Sequence, residues 1–263
     1  MSSNQVVFIT GASSGIGYET ALAFAREGYN VIATARRVDR LAALETAVQQ
    51  LPTAHGAIFS VACDVRDRAD MERAVARGLE RFGRIDVLVA NAGVGQRGAL
   101  VDSPWDDLET LLRTNIDGVL HSIRAVVPVM RRGGGGHIVT VSSVIYNMTA
   151  PYAVSYSASK SFVSSLAKSL RYELEPDHIT VSDMVIGRTA TEFAEKRLGA
   201  AGYSGKAPRL PVMSSAQVAA GIVRATQRKQ KTVILRWFDR LILWANALIP
   251  GVIARNAMKS YRV

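Results

Sequence analysis

Short apolar runs of four to seven residues punctuate the chain at 5–10, 30–35, 57–62, 85–90, 137–142, 179–185 and 232–235. They are continuously apolar rather than alternating, which is the pattern of strands covered on both faces. Between them, 18–27, 41–50 and 69–82 carry apolar residues at helical spacing, and 155–174 reads as a longer helix. Alternation of strand and helix predicts right-handed crossovers and an α/β fold, a doubly wound parallel sheet. No internal repeat or linker is visible, and the glycines at 133–136 read as a loop before the fifth strand. A single domain over 1–235 is expected. Residues 236–263 differ, with large apolar residues interspersed by Arg236, Asp239, Arg240 and Asn246, and predict a C-terminal amphipathic helical tail.

Composition narrows the class. With 263 residues, 48% hydrophobic and 21% charged, the chain is a globular protein with a sizeable core. The lone cysteine, Cys63, excludes an intramolecular disulfide and makes a reducing cytosol the expected compartment. The first residues are short, polar and run straight into a strand, unlike a signal or transit peptide. The net charge of +10 is unevenly placed: nine Lys/Arg against Asp239 leave +8 in the last forty residues, and the remainder is nearly balanced. That is a local basic patch rather than a nucleic-acid groove, so no nucleic-acid partner is expected.

The first strand runs into Thr10-Gly11-Ala12-Ser13-Ser14-Gly15-Ile16-Gly17 and then a helix. Glycines at such a turn allow a tight path and close approach of a phosphate, which the helix N-terminus attracts. The spacing is GxxxGxG rather than the general GxGxxG. Further along stand Asn91-Ala92-Gly93 after the fourth strand, Asn115 in the next helix, and Tyr156-Ser157-Ala158-Ser159-Lys160. In order and spacing these motifs resemble the single-domain short-chain dehydrogenase/reductases over about 5–235. The resemblance implies a Rossmann-like nicotinamide-binding fold and hydride transfer between the cofactor and a carbonyl or alcohol carbon. It assigns Gly11, Ser13, Ser14, Ile16, Gly17, Asn91, Ala92 and Gly93 to the cofactor.

The second strand ends at Ala33-Thr34-Ala35, followed by Arg36 and Arg37. An acidic residue near this point binds the adenosine ribose in NAD enzymes, whereas arginine accommodates the extra phosphate of NADP. With Ala35 at the acidic position and two guanidinium forks after it, NADP (NADPH) is the expected cofactor. Asp39 reads as a helix cap. By resemblance Asp64 meets the adenine amino group and Val65 offers a backbone contact; Cys63 reads as a small buried apolar residue.

Tyr156 and Lys160, four apart on a helix, share one face. A tyrosine of pKa about 10 is a poor base at neutral pH, and a nearby ammonium favours its phenolate. Tyr156 is therefore the expected proton donor in reduction and acceptor in oxidation. Family spacing makes Ser143 the donor to the substrate carbonyl oxygen and Asn115 the holder of a relay water, with Ser142 pointing away. Where the family carries Pro-Gly after the sixth strand, this chain has Ile186-Gly187, which should leave that wall more mobile. Thr189 and Thr191 fall where relatives contact the carboxamide and phosphates.

The four histidines (55, 121, 137 and 178) lack ligand spacing, so no metal is expected. Ser103-Pro104-Trp105-Asp106-Asp107 reads as a helix start with a serine cap. Residues 187–214, with Phe193, Gly199, Gly202, Tyr203 and Gly205, suit a substrate lid. Val144, Ile145, Tyr146 and Met148 suggest an apolar pocket. In the tail, Pro250-Gly251 interrupts a run too short to span a bilayer. It could lie on an anionic membrane surface, or pack onto the body or a subunit partner. By resemblance a homodimer or homotetramer forms through the helices around Asn115 and Tyr156. The principal rival to an enzyme is an NADP-sensing interaction protein at a membrane surface, for which Ser143 would have no use.

Overall fold

The computed structural model describes residues 5–52, 55–199 and 211–259. Seven parallel strands are ordered β3-β2-β1-β4-β5-β6-β9. They are β1 (Val6–Thr10), β2 (Asn30–Ala35), β3 (Ile58–Ala62), β4 (Val87–Ala90), β5 (Gly136–Ser143), β6 (Ile179–Ile186) and β9 (Thr232–Ile234). The seven runs predicted from hydropathy are these strands, with ends shifted by one or two residues. Strand order reverses between β1 and β4, which opens a crevice at their carboxyl ends.

Helices cover both faces. Val7 and Ile9 pack with Phe24 of α1 (Gly15–Arg26), Leu41 of α2 (Val38–Gln49) and Ile222 of α7 (Ser215–Gln227). The alternate residues Val6 and Phe8 pack with Met71 of α3 (Arg68–Phe82), Val126 of α5 (Gly118–Arg132) and Val163 of α6 (Val154–Glu173). One strand thus feeds two cores, which is why its residues read as continuously apolar. The last helix before α5 is α4 (Trp105–Leu112).

Two expectations need correction. Asp39 lies in the first turn of α2, whose cap is Arg37. Ser103 does not cap α4; Pro104 holds that position, and Ser103 Oγ instead donates to Ala99 O and accepts from Gln96 Nε2. The tail is two helices, α8 (Trp237–Leu248) and α9 (Pro250–Lys259), bent by 110° at the proline. A small parallel pair, β7 (Thr189–Ala190) with β8 (Met213–Ser214), closes the segment after β6. Tyr203, Gly202 and Gly205 of the expected lid lie outside the described residues.

Candidate active site

The crevice begins with the glycine turn. Gly11 adopts φ +69°, and a methyl group on Gly17 would stand 2.3 Å from Gly11 O and 2.6 Å from Asn91 Nδ2. Only hydrogen fits there, so the turn folds flat over the end of β1. Asn91 donates from Nδ2 to Thr10 O at 2.9 Å, and Thr10 Oγ1 accepts from the backbone N–H groups of Asn91 and Ala92, both at 3.0 Å. Thr10 thereby ties the turn after β4 to the glycine loop, a role its sequence position did not disclose. Ser14 holds the N-cap position of α1 without a side-chain bond to the helix backbone, while Ser13 and Ile16 flank it at the helix start. The arrangement leaves a glycine-floored cradle at a helix N-terminus, which fits a dinucleotide pyrophosphate.

Arg36 and Arg37 are placed differently. Arg36 is exposed. Arg37 is half-buried, donating to Ser13 Oγ (3.1 and 3.2 Å), to Ser14 Oγ (2.7 Å) and to Glu192 Oε2 (3.3 Å). Asp64 is held by Arg66 through both oxygens, at 2.6–3.0 Å. Burial opposes the Asp64 charge, but the Arg66 hydrogen bonds and the Arg66 and Arg36 charges outweigh it and hold the carboxyl below its ordinary value. Val65, next in chain, is buried, and its carbonyl pairs with His121 Nδ1 at 2.9 Å. Cys63 is buried as expected, and burial pushes its thiol up to about 12.

Tyr156, Ser143 and Lys160 meet at the carboxyl end of β5. The Tyr156 hydroxyl is hydrogen-bonded to Ser143, and Ser143 Oγ accepts from Ile145 N at 3.4 Å. Ser142 points away and is buried. Lys160 Nζ lies 5.9 Å from the Tyr156 ring centroid and donates to Val141 O at 2.9 Å. A methyl group on Gly93 would stand 3.5 Å from Nζ and 3.2 Å from Asn115 Oδ1, so Gly93 keeps this floor open.

Burial is the largest influence on the ionisation of both Tyr156 and Lys160. Burial raises Tyr156 to about 12, while the Ser143 hydrogen bond and the charges of Arg197 and Arg97 work in the opposite direction. It brings Lys160 down to about 8, opposed by the Asp183 carboxylate. Asp183 is fully buried in β6, with Thr140 Oγ1 3.4 Å from Oδ1 and no partner for Oδ2 among the described residues. Nothing in a lone Asp inside an apolar strand pattern announced a charge beneath the lysine.

Asn115 sits in a π-turn, Arg113–Asp117, where Gly118 N–H bonds back to Arg113 O. Its Oδ1 accepts from Val94 N at 2.8 Å, and Nδ2 donates to Val94 O and to Ser159 Oγ, each at 3.0 Å. The side chain thus fastens the turn after β4 to α6. π-turns of this kind concentrate at functional sites.

The segment after β6 roofs the crevice. Thr191 reaches the glycine loop: a methyl group on Gly15 would stand 3.1 Å from its Cγ2. The Phe193 ring lies 5.8 Å from that of Tyr156. Thr189 Oγ1 donates to Gly187 O at 3.1 Å. Gly187 is itself braced, because Arg236 and Asp239 of the tail form an ion pair against it. The wall expected to be mobile for want of proline is therefore buttressed from α8. His137, buried against Ser182, is brought down to about 4 by burial, and no group of metal-ligating side chains forms among the described residues.

Residues 5–200 match the sequence profile of the short chain dehydrogenase family. The chain is 36% identical over 192 residues to a 3-oxoacyl-(acyl-carrier-protein) reductase of Thermotoga maritima, covering 73% of this chain and 77% of that one. It is 32% identical over 259 residues to dehydrogenase/reductase SDR family member 7B of Bos taurus, covering 96% and 80%. Among solved structures it is similar to an alcohol dehydrogenase of the archaeon Thermococcus sibiricus complexed with 5-hydroxy-NADP. That likeness has a TM-score of 0.76 and 28% identity, and covers 88% of this chain and 96% of the other.

Proposed function

The chain belongs to the short-chain dehydrogenase family of oxidoreductases, and from that premise we propose that it is an NADP(H)-dependent carbonyl reductase or alcohol dehydrogenase acting on an apolar compound. The observation that carries this reading is the meeting of Ser143, Tyr156 and Lys160 at the mouth of a glycine-floored cradle. When bound, the nicotinamide supplies the hydride.

The chain's own groups supply the rest. Ser143 Oγ and the Tyr156 hydroxyl face one another, so an oxygen placed between them receives two hydrogen bonds that strengthen as it gains charge. With its pKa raised to about 12, the Tyr156 phenol is protonated at neutral pH and is set to donate rather than accept. Lys160, at about 8, is mostly an ammonium at neutral pH. Beyond the bond to Val141 it retains donors for a ribose hydroxyl and a relay water. Asn115 positions the backbone that borders that relay.

For the cofactor, Gly11, Ser13, Ser14, Ile16 and Gly17 would hold the pyrophosphate and Asn91, Ala92 and Gly93 the adjoining ribose. Asp64 and Val65 would meet the adenine, with Thr189 and Thr191 on the carboxamide side. Arg37, already forked onto two serine hydroxyls, with Arg36 beside it, would receive the 2′-phosphate. The complex of the Thermococcus protein with an NADP analogue is in keeping with this. Val144, Ile145, Tyr146 and Met148 would line the substrate side. Exposed Trp105 and Leu112 on α4, with Phe162 and Tyr172 on α6, support a homo-oligomer formed across those helices. The cytosol is the proposed compartment.

The test is a comparison of kcat/KM for NADPH and NADH across a panel of apolar ketones and aldehydes, in the wild type and in Arg37→Ala. The reading expects NADPH preference that Arg37→Ala erodes through KM. Equal use of both cofactors by the wild type refutes NADP specificity, and turnover of neither refutes the enzyme.

A further inference from the structure

We propose that α8 and α9 form a docking surface for an anionic lipid bilayer, seated beside the mouth of the active site. The proposal starts from the two faces of α8. One face carries Asp239, Leu243 and Asn246, all buried, at spacings of four and three residues. Asp239 with Arg236 braces Gly187, while Asn246 accepts from Thr149 N and donates to the Asn147 carbonyl. This face therefore grips the loop that follows Ser143 and the turn that follows β6.

The opposite face carries Trp237, Leu241, Trp244 and Leu248, again one stripe, and it is bare: Trp237 is 73%, Trp244 72% and Leu248 79% exposed. Two tryptophans and two leucines aligned on solvent make an apolar patch of a kind that marks an interface. Beyond the bend, α9 has no buried residue, and its Val252 and Met258 are exposed as well.

Charge decides what covers the patch. Arg240 flanks it on α8, Arg255 and Lys259 lie exposed on α9, and Asp239, the acidic residue of this segment, is buried in its ion pair. A second copy docked by a two-fold axis would set the same cations against each other. Anionic headgroups complement them, and tryptophan rings suit the boundary between headgroup and acyl chain. No single helix among the described residues is long and apolar enough to cross a membrane, and a 110° bend separates α8 from α9. The consequence for substrate rests on the oxidoreductase reading: a site mouth held at the lipid surface receives carbonyl compounds dissolved in the bilayer.

The experiment is co-sedimentation of the full chain with vesicles of phosphatidylcholine containing phosphatidylserine, and with vesicles of phosphatidylcholine alone. The wild type is expected to pellet with the anionic vesicles only, and to be released by salt. Arg255→Glu with Lys259→Glu should weaken partitioning about 25-fold or more, taking about fivefold per lost cation. Trp244→Ser with Leu248→Ser should abolish it, while both pairs keep wild-type turnover of a water-soluble ketone. Tyr156→Phe should pellet like the wild type while losing turnover, and a wild type that pellets but turns over no ketone fails the enzyme reading and leaves docking intact. A wild type that stays in the supernatant overturns the proposal, and so does pelleting that neither variant pair weakens. Loss of a dimer on sedimentation velocity in Trp244→Ser with Leu248→Ser also overturns it, because a second copy would then be the occupant.

Discussion

Replacing Arg236 should cost the protein stability far from the reacting atoms. Its Nε and Nη2 donate to Asp239 at 2.8 and 2.6 Å, and the two side chains are 18% and 1% exposed. Removing one partner of a buried pair leaves the other charge desolvated, a loss of about 3–5 kcal/mol. Arg236 is partly reachable by water, so Arg236→Met should fall near the lower end, about 3 kcal/mol. At about 2–4 °C per kcal/mol for a chain of this size, Tm drops by roughly 10 °C. Removing both charges, in Arg236→Met with Asp239→Leu, leaves nothing unpaired and should recover most of that loss. Thermal melts of the three proteins by circular dichroism measure it. A single variant melting with the wild type, or a double variant melting below the single, refutes the buttress.

Further outcomes follow from the same geometry. Gly17→Ala places a methyl group 2.3 Å from Gly11 O, and NADPH affinity by fluorescence titration should fall about tenfold or more, as overpacking costs 1–3 kcal/mol. Lys160 lies at about 8 against an ordinary 10.5, so the unfolded chain holds the extra proton between those pH values and stability rises across that window. Lys160→Met, freed of the buried ammonium, should therefore gain roughly 3 kcal/mol near neutral pH. That gain should fade as pH climbs from about 8 to 10.5, as read from Tm against pH in both proteins. Asp183→Asn removes the charge that opposes this depression. The lysine pKa then falls further, and the alkaline limb of the kcat/KM profile moves to lower pH.

How much of this could be read from sequence differs from element to element. The five central strands were legible because they are buried on both faces and therefore mostly apolar, and the edge strands β3 and β9, which are only partly buried, because they keep an apolar run between turns. The glycine loop and Tyr156 with Lys160 were legible because local spacing alone sets their geometry. Relations formed across the fold were not. Glu192 is 155 residues from the Arg37 it pairs with. Asp183 lies beneath α6 through a sheet register, and its lone carboxylate reads like any strand polar residue. Helical spacing put Lys160 and Tyr156 on a shared face and left their burial open. Here desolvation dominates both groups. The tail's amphipathicity was visible, whereas the fact that its polar face reaches Gly187 and the loop after Ser143 depended on tertiary packing.

The most direct measurement is transfer of label from NADPH deuterated at the reactive nicotinamide carbon into an apolar ketone, in the wild type and in Tyr156→Phe. With cofactor saturating for both proteins, wild type should form the deuterated alcohol and Tyr156→Phe should form it at least about a hundredfold more slowly, the lower range for loss of a general acid. Absence of labelled alcohol from the wild type, or equal rates from the two proteins, contradicts proton donation by Tyr156 to a carbonyl oxygen held against Ser143.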